Sequence, residues 1–445
     1  MRGRSAALLL LAVFWSRAAL HSEAWLGRER VQRIALPNGL VLIYQKDSSS
    51  TITSLDILIK GGKRAEPGGM SGLAYLTTRL LLEIQDSRSA QQLMIQASPM
   101  ALTGQADYSL ISIDSLSEHL DETLRIVSRS LQWPLFTGIR IDAVKKNMET
   151  QRDRESEEAL AQSRAFQLQA FFGPTGYGAS SYGTAETIKA IKSRDISRFY
   201  EAHFQAPEII LSAVSDLEAE EIKTLLMKHL KEIRRRQPVE LSPAPQPLSP
   251  PAHKEFRAEK DMLQSLVSAG YSLPGATDRL FVLATLTESL LGKGVASRLW
   301  RLRQDEKLAY DVNCHYTPMK ESSLLEAYLE TENRKKDTAL TALRQTLGEV
   351  WQKGVGADEL EAAKKIALTD LLRANEAKSK RALNLAVYEA LGLGFDFLEK
   401  IPALFEAVTV AEMNSFLSSN LDPERAVWVV IAGTKEKSSP RPSRP

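Results

Sequence analysis

A proline-rich segment near the middle of the chain does most to limit how this sequence can fold. Residues 237–253 read QPVELSPAPQPLSPPAH, with six prolines and no aromatic residue. Each proline fixes φ and removes a backbone donor, so the segment predicts a stiff, extended linker rather than a packed element. It separates residues 25–236 from residues 254–445, two parts of nearly equal and ordinary domain size.

The two parts repeat the same order of elements near their ends. In each part a helical pattern is followed by a proline and then by a short apolar strand. These elements are residues 190–199, Pro207 and 209–214 in the first part, and residues 407–416, Pro423 and 426–431 in the second. One such match is weak, but together with the central linker and the equal halves it predicts a duplicated domain.

Each half mixes strands and helices without strict alternation, which favours an α+β fold over a doubly wound α/β fold. Strands are predicted at residues 33–36, 40–44, 53–60, 263–271, 308–315 and 322–329. Helices are predicted at residues 73–83, 118–131, 142–172, 278–291, 296–304, 335–353 and 359–390.

Composition excludes several function classes. A net charge of +2 gives no electrostatic reason to bind nucleic acid or an anionic membrane surface. No glycine-rich phosphate loop is present. Cys314 is the only cysteine, so neither an intramolecular disulfide nor a lipobox is possible.

The first 24 residues predict a cleavable signal peptide. Arg2 and Arg4 precede an apolar run at residues 6–15 that is too short to span a bilayer. Small residues before the expected cleavage site after Ala24 fit a signal peptidase, and an uncleaved N-terminal anchor is the alternative. We therefore expect an exported protein without stable membrane insertion. An exported chain that forms no disulfide fits the bacterial periplasm, where folding can rely on the size of the core.

The histidines give no metal-binding pattern. No two of them lie three or four residues apart, so a helical two-histidine site is not possible. Cys314 and His315 are neighbours on a predicted strand and point to opposite faces. The six histidines are His21, His119, His203, His229, His253 and His315, and we interpret them as scattered surface or core residues.

The helix at residues 72–81, GLAYLTTRLL, follows the sequence GKRAE at residues 62–66. This context resembles the zinc-binding helix of the pitrilysin/insulinase metallopeptidases, the inverzincins, whose motif is H-x-x-E-H. In that family the two histidines bind zinc and the glutamate is the general base. Here Tyr75 and Arg79 stand at the histidine positions and Thr78 at the glutamate position. Arginine is permanently cationic and threonine has no useful basicity, so the resemblance implies a helix without its metal chemistry.

The resemblance also implies a third zinc ligand, a glutamate some seventy to eighty residues past the motif. Glu149 and Glu155 both fall near that window. Without the two histidines, either residue is interpreted as part of a solvated helix face. The resemblance therefore implies no zinc and no catalytic residue in this chain.

A second segment of the same resemblance lies in the second half, in GKGVASRLW at residues 292–300 and LRQDEKLAY at residues 302–310. In the family, an arginine and a tyrosine separated by six residues bind the substrate main chain and stabilise the oxyanion. Arg303 and Tyr310 have this spacing. Guanidinium and phenol are both donors suited to carbonyl oxygens near a scissile bond. On spacing alone, an exposed arginine and a half-buried tyrosine would be the alternative.

The resemblance covers nearly the whole chain after the signal peptide. It implies two pitrilysin-like domains, residues 25–236 with the degenerate zinc motif and residues 254–445 with the arginine–tyrosine pair. Such chains are often the non-catalytic, substrate-binding half of a heterodimeric zinc peptidase, in which the partner chain holds the zinc and this chain contributes Arg303 and Tyr310. The alternative is a structural or assembly protein of the same fold without a peptide site, as in family members embedded in respiratory complexes.

Overall fold

The computed structural model describes residues 29–233, 237 and 255–435. The predicted signal peptide and all of the predicted linker except Gln237 lie outside the described residues. The first sheet contains β1 (Gln32–Ala35), β2 (Val41–Lys46), β3 (Ile52–Ile59), β4 (Met100–Gly104), β5 (Ser109–Leu116) and β6 (Ile209–Ser215). The second contains β7 (Glu255–Lys260), β8 (Gln264–Pro274), β9 (Asp311–Thr317), β10 (Ser322–Glu332) and β11 (Val427–Gly433).

The two sheets share one topology. The first has the order β1-β2-β6-β3-β5-β4 and the second the order β7-β11-β8-β10-β9. In the first sheet β2 and β6 are parallel, whereas β6, β3, β5 and β4 pair antiparallel in succession. In the second, β7 and β11 are parallel and β11, β8, β10 and β9 are antiparallel. The predicted duplicated α+β fold is therefore confirmed, with β1 as an additional edge strand.

Helices connect the strands in the same places in both halves. The first half contains α1 (Leu73–Leu81), α2 (Ser87–Ile95), α3 (Leu120–Gln132), α4 (Gly138–Glu157), α5 (Ala159–Phe172), α6 (Ala185–Ala190), α7 (Ser193–His203) and α8 (Ala219–Leu230). The second contains α9 (Asp278–Gly292), α10 (Trp300–Gln304), α11 (Lys336–Lys353), α12 (Ala357–Ala374), α13 (Lys378–Leu391), α14 (Phe397–Glu406) and α15 (Val410–Asn420).

Alternation along the strands determines where the cores lie. On β3, Leu55, Ile57 and Ile59 point to one face and pack with Leu124 of α3 and Leu226 of α8. The period of two in a strand puts these side chains on one face, and their burial removes apolar surface from water. The corresponding face of the second sheet packs against α9 and α11.

The opposite face of each sheet is covered by a helix from the other half. Helix α5 packs on β8 and β11, and α13 packs on β3 and β6. Ser163 on α5 lies 2.6 Å from Ser268 on β8, oxygen to oxygen. On α13, the Lys378 ammonium donates to the carbonyl oxygens of Ser50 and Ile52, at 2.7 and 2.9 Å. Because each half contributes a helix to the sheet of the other, these contacts fix the position of the two halves relative to each other.

Two predicted long helices are wrong in length. The helix predicted at residues 142–172 is broken at Glu158, whose backbone is extended with ψ 118°. The helix predicted at residues 359–390 ends at Ala374 and restarts at Lys378, after the extended Ala377. Each break turns the second helix toward the sheet of the other half, which a periodic apolar pattern cannot indicate. The predicted helix at residues 296–304 begins only at Trp300.

Among the described residues, no helix combines the length and the apolar character needed to cross a membrane.

Candidate functional site

The N-terminus of α1 is bound by a buried acidic side chain. One carboxylate oxygen of Glu66 accepts hydrogen bonds from the backbone N–H groups of Gly72 and Ala74, at 3.1 and 2.8 Å. A carboxylate suits this place because the first amides of a helix lack partners and the helix dipole is positive there. Burial nevertheless raises the pKa of Glu66 to about 8, against the lowering effect of these two hydrogen bonds.

One apolar stripe of α1 anchors it in the first half. Leu73, Leu76 and Leu80 are buried against Met148 of α4 and Phe199 of α7. The spacing of three and four residues places the leucines on one helix face. The sequence thus keeps the helix in place while its other side carries the degenerate motif.

The three motif positions are each bound by other protein groups. The Tyr75 ring contacts Tyr182 edge to face, with a centroid distance of 4.8 Å. Thr78 is only 4% exposed, and its Oγ1 donates to the Ala74 carbonyl at 2.9 Å. The Arg79 guanidinium pairs with Glu83 one turn later, at 2.9 Å.

This donor set does not fit zinc. Burial raises the pKa of Tyr75, so its phenol is neutral near pH 7. Arg79 would place a further positive charge beside a dication, and Thr78 donates its hydroxyl to the helix backbone and cannot act as a base. In the part of the chain that the structure describes, no group of three His, Cys, Asp or Glu side chains could hold a metal ion. We therefore assign no metal-dependent step to this chain.

The two candidates for the third ligand position differ in their surroundings. Glu149 is exposed on α4, whereas Glu155, near the C-terminal end of the same helix, is half-buried. Burial raises the pKa of Glu155, and nearby Lys63 opposes this rise. Burial also raises the pKa of Tyr182, and the Glu155 carboxylate adds to that rise. Because the Tyr182 ring contacts Tyr75, Glu155 exerts its electrostatic effect on a direct neighbour of the degenerate motif.

Sequence reasoning missed Lys63 as a member of this cluster. The Lys63 ammonium donates to the Ala179 carbonyl at 2.7 Å. Burial lowers its pKa to about 8, while nearby Glu66, Glu155 and Asp107 oppose this. A cation thus lies among the acids beside α1, and the only sequence signal was the three-residue spacing of Lys63 and Glu66.

The structure places Arg303 and Tyr310 on either side of one surface turn. The Arg303 guanidinium lies 4.7 Å from the ring centroid of Trp300, within cation–π range. Tyr310 is 38% exposed, and its hydroxyl donates to Glu332 Oε1 over a long 3.4 Å. The Tyr310 backbone N–H donates to the Glu330 carbonyl at 2.8 Å, which attaches the end of the turn to β10.

A family model matches the end of the first part of the chain, the linker and the beginning of the second part. Residues 190–367 match the model described as Peptidase M16 inactive domain. The chain is also similar to a protein of Helicobacter pylori named Non-peptidase homolog YmxG. The two are 22% identical over 96% of this chain and 98% of that protein.

Solved structures share the fold. A crystal structure of the peptidase M16 inactive domain from Pseudomonas fluorescens superposes with a TM-score of 0.82 at 18% identity, over 92% of this chain and 99% of the other. A chain of Complex III2 from Candida albicans gives 0.78 at 15% identity, over 90% and 96%. The resemblance to the M16, or pitrilysin/insulinase-type, family is thus confirmed, and the model that matches residues 190–367 is that of the family's inactive domain.

Proposed function

We propose that this chain is the non-catalytic, substrate-binding subunit of a heterodimeric zinc peptidase and that it supplies Arg303 and Tyr310 to the active site of a zinc-bearing M16 partner. One observation carries the proposal. Two exposed donors lie on a well-anchored turn, in a chain whose own α1 offers no zinc ligand. Two donors suited to peptide carbonyl oxygens can take part in hydrolysis only when another chain brings the metal.

The two side chains have complementary roles in this proposal. The Arg303 guanidinium donates to main-chain carbonyl oxygens of an extended peptide and keeps its plane over Trp300. The Tyr310 phenol donates to the oxygen that becomes negative when water attacks the scissile carbonyl. The partner contributes the metal, and this chain contributes binding and electrostatic stabilisation.

The heterodimer would have a single active site. In this chain the cationic Arg79 stands where the family has a zinc ligand. Any arginine–tyrosine pair of the partner would therefore face a site without metal. The complex would therefore bind one zinc ion per heterodimer. Metal analysis of the purified complex gives one zinc under this proposal and two under a symmetric enzyme.

Kinetics of the complex test the proposal directly. A tagged copy of this chain is purified from its native cells with the zinc-bearing chain that accompanies it, and hydrolysis of a quenched fluorescent peptide is measured. Tyr310→Phe and Arg303→Ala should each lower kcat/KM by roughly tenfold or more, because one such donor stabilises the transition state by about 2–4 kcal/mol. Association should stay unchanged.

Arg301→Ala is the matched control. Arg301 lies on the same helix as Arg303, and its guanidinium pairs with Glu306 at 3.4 Å. Its removal takes away an exposed positive charge without touching the proposed donor. Equal losses for Arg301→Ala and Arg303→Ala would point to general electrostatics and count against the proposal.

A structural or assembly role is the second candidate. The fold shared with a chain of Complex III2 from Candida albicans favours it, since that chain belongs to a large assembly. Under this candidate Arg303→Ala and Tyr310→Phe leave turnover unchanged. Deletion of the chain would instead reduce the amount of an assembled complex, measured by native gel electrophoresis.

We also propose that the chain acts in the periplasm after removal of residues 1–24. Support comes from the charged and apolar pattern of that segment. Cell fractionation and N-terminal sequencing test this. A mature chain beginning at Trp25 in the periplasmic fraction is expected, and an intact Met1 in the cytoplasm would contradict it.

A further inference from the structure

The turn between Arg303 and Tyr310 has an unfavourable backbone that other residues hold in place. Lys307 has φ +51°, in the left-handed region that a residue with a Cβ atom rarely adopts. The Leu308 N–H donates to the Leu302 carbonyl at 2.8 Å, and Thr331 Oγ1 donates to the Leu308 carbonyl at 2.5 Å. Such backbone conformations persist only where the surroundings determine them, and they concentrate at functional sites.

Lys335 connects this turn to the residue that faces Tyr310. Its ammonium donates to the Lys307 carbonyl at 3.1 Å and to Glu332 Oε1 at 3.2 Å. The same Glu332 oxygen accepts the Tyr310 hydroxyl. One side chain thus contacts the strained residue and, through a single carboxylate, the proposed donor.

We propose that Lys335, acting through Glu332, is a positioning residue for the Arg303–Tyr310 turn; this rests on the function proposed above for that pair. Lys335 fixes the Lys307 carbonyl and the Glu332 carboxylate relative to each other. The carboxylate in turn orients the Tyr310 hydroxyl, which donates to it.

The long contact between Tyr310 and Glu332 fits this role. At 3.4 Å the hydroxyl is held weakly, so that it can rotate toward a substrate oxygen at little cost. Arg334 and Lys335 lower the pKa of Glu332, which keeps the carboxylate ionised and able only to accept. In the free chain the Tyr310 hydroxyl therefore donates toward the Glu332 carboxylate.

Neighbouring cations do not have the same connection. Arg334 is 80% exposed and contacts the other oxygen of Glu332, at 2.8 Å. Lys336 contacts the Asn333 carbonyl at 3.4 Å and Asp337 at 3.8 Å. Lys336→Met is therefore a matched control for Lys335→Met, with the same change in charge and volume at the next position.

Hydrogen exchange of the full chain alone tests the positioning itself. Lys335→Met should speed exchange at the Leu308 and Tyr310 amides by roughly fivefold, because one restraint on the turn is lost. Lys336→Met should leave these amides unchanged. Unchanged exchange in Lys335→Met, or an equal change in both variants, overturns the proposal.

Turnover of the complex tests whether this positioning serves the site. Lys335→Met should lower kcat on the order of tenfold with little change in KM, because a displaced donor loses transition-state contact. The loss should disappear when Tyr310 is already phenylalanine. Normal kcat in Lys335→Met, with Tyr310→Phe impaired, overturns the positioning role and leaves the proposed function standing. Unimpaired Tyr310→Phe overturns the proposed function, and the positioning role with it.

Discussion

The Arg381 guanidinium on α13 forms an ion pair with the Asp47 carboxylate at the end of β2, and both side chains are buried. The pair joins the second half of the chain to the first. Arg381 also donates to the Asn375 carbonyl at 3.1 Å, just before α13 begins. A charge moved out of water needs such partners, because desolvation costs several kcal/mol for each ion.

Arg381→Met should destabilise the protein by roughly 3–5 kcal/mol, because the buried Asp47 carboxylate would lose its Arg381 partner. The double variant Arg381→Met/Asp47→Leu should recover most of that loss, since no buried charge is left. The free energy of unfolding from urea titrations measures both. A double variant as unstable as the single one would show that packing of α13, rather than the charge, dominates.

Asp56 should make the protein less stable at high pH. This β3 residue is 2% exposed, and burial raises its pKa from 3.8 to about 7, with Ser112 and Lys380 opposing the shift. A raised folded-state pKa means that its contribution to stability is complete below 3.8 and is lost as pH rises through about 7.

Asp56→Asn removes this titration. Relative to the natural chain, the variant should gain on the order of 2 kcal/mol in unfolding free energy between pH 5 and pH 8. Comparing the two pH values cancels the fixed cost of the new amide. An identical difference between variant and natural chain at both pH values would contradict the expected pKa.

Local patterns in the sequence were enough to predict much of the fold. The apolar runs at residues 40–44, 209–214 and 426–431 correspond to β2, β6 and β11, because buried central strands are apolar over their whole length. Helix α1 was predicted from its leucine spacing and ends two residues early, at Leu81. Helix α2 was missed, since Leu93 is its only buried residue and no apolar stripe marks it.

Contacts distant in sequence could not be predicted in the same way. The break at Glu158 follows from the packing of α5 on the second sheet, which depends on the whole duplicated arrangement. Likewise, the electrostatic effects between Glu155 and the distant residues Lys63 and Tyr182 depend on the tertiary structure. The spacing of Arg303 and Tyr310 is visible in the sequence, but the contact of Lys335 with their turn arises only in the tertiary structure.

A like-charge pair next to Tyr310 should reduce stability slightly. Glu330 on β10 lies directly opposite Asp311 on β9, and burial and this neighbour both raise the pKa of Glu330. Glu330→Gln should increase the unfolding free energy by about 0.5 kcal/mol at pH 7 and low salt. The gain should shrink in high salt, where exposed charges are screened. A gain independent of salt would indicate a packing effect.

Restoring the zinc motif should not restore an active zinc site. The triple variant Tyr75→His, Thr78→Glu, Arg79→His supplies the ligands and the base, but a glutamate must then occupy the 4% exposed position of Thr78. Its carboxylate would be desolvated on the buried side of α1, and the new histidines would lack partners that orient their rings. We therefore expect weak zinc binding by calorimetry and little peptide hydrolysis. Tyr75→His alone is the control, because it leaves Arg79 paired with Glu83 and should bind no zinc. Tight binding of one zinc ion with chelator-sensitive hydrolysis by the triple variant would show that the surroundings of α1 still suit a metal.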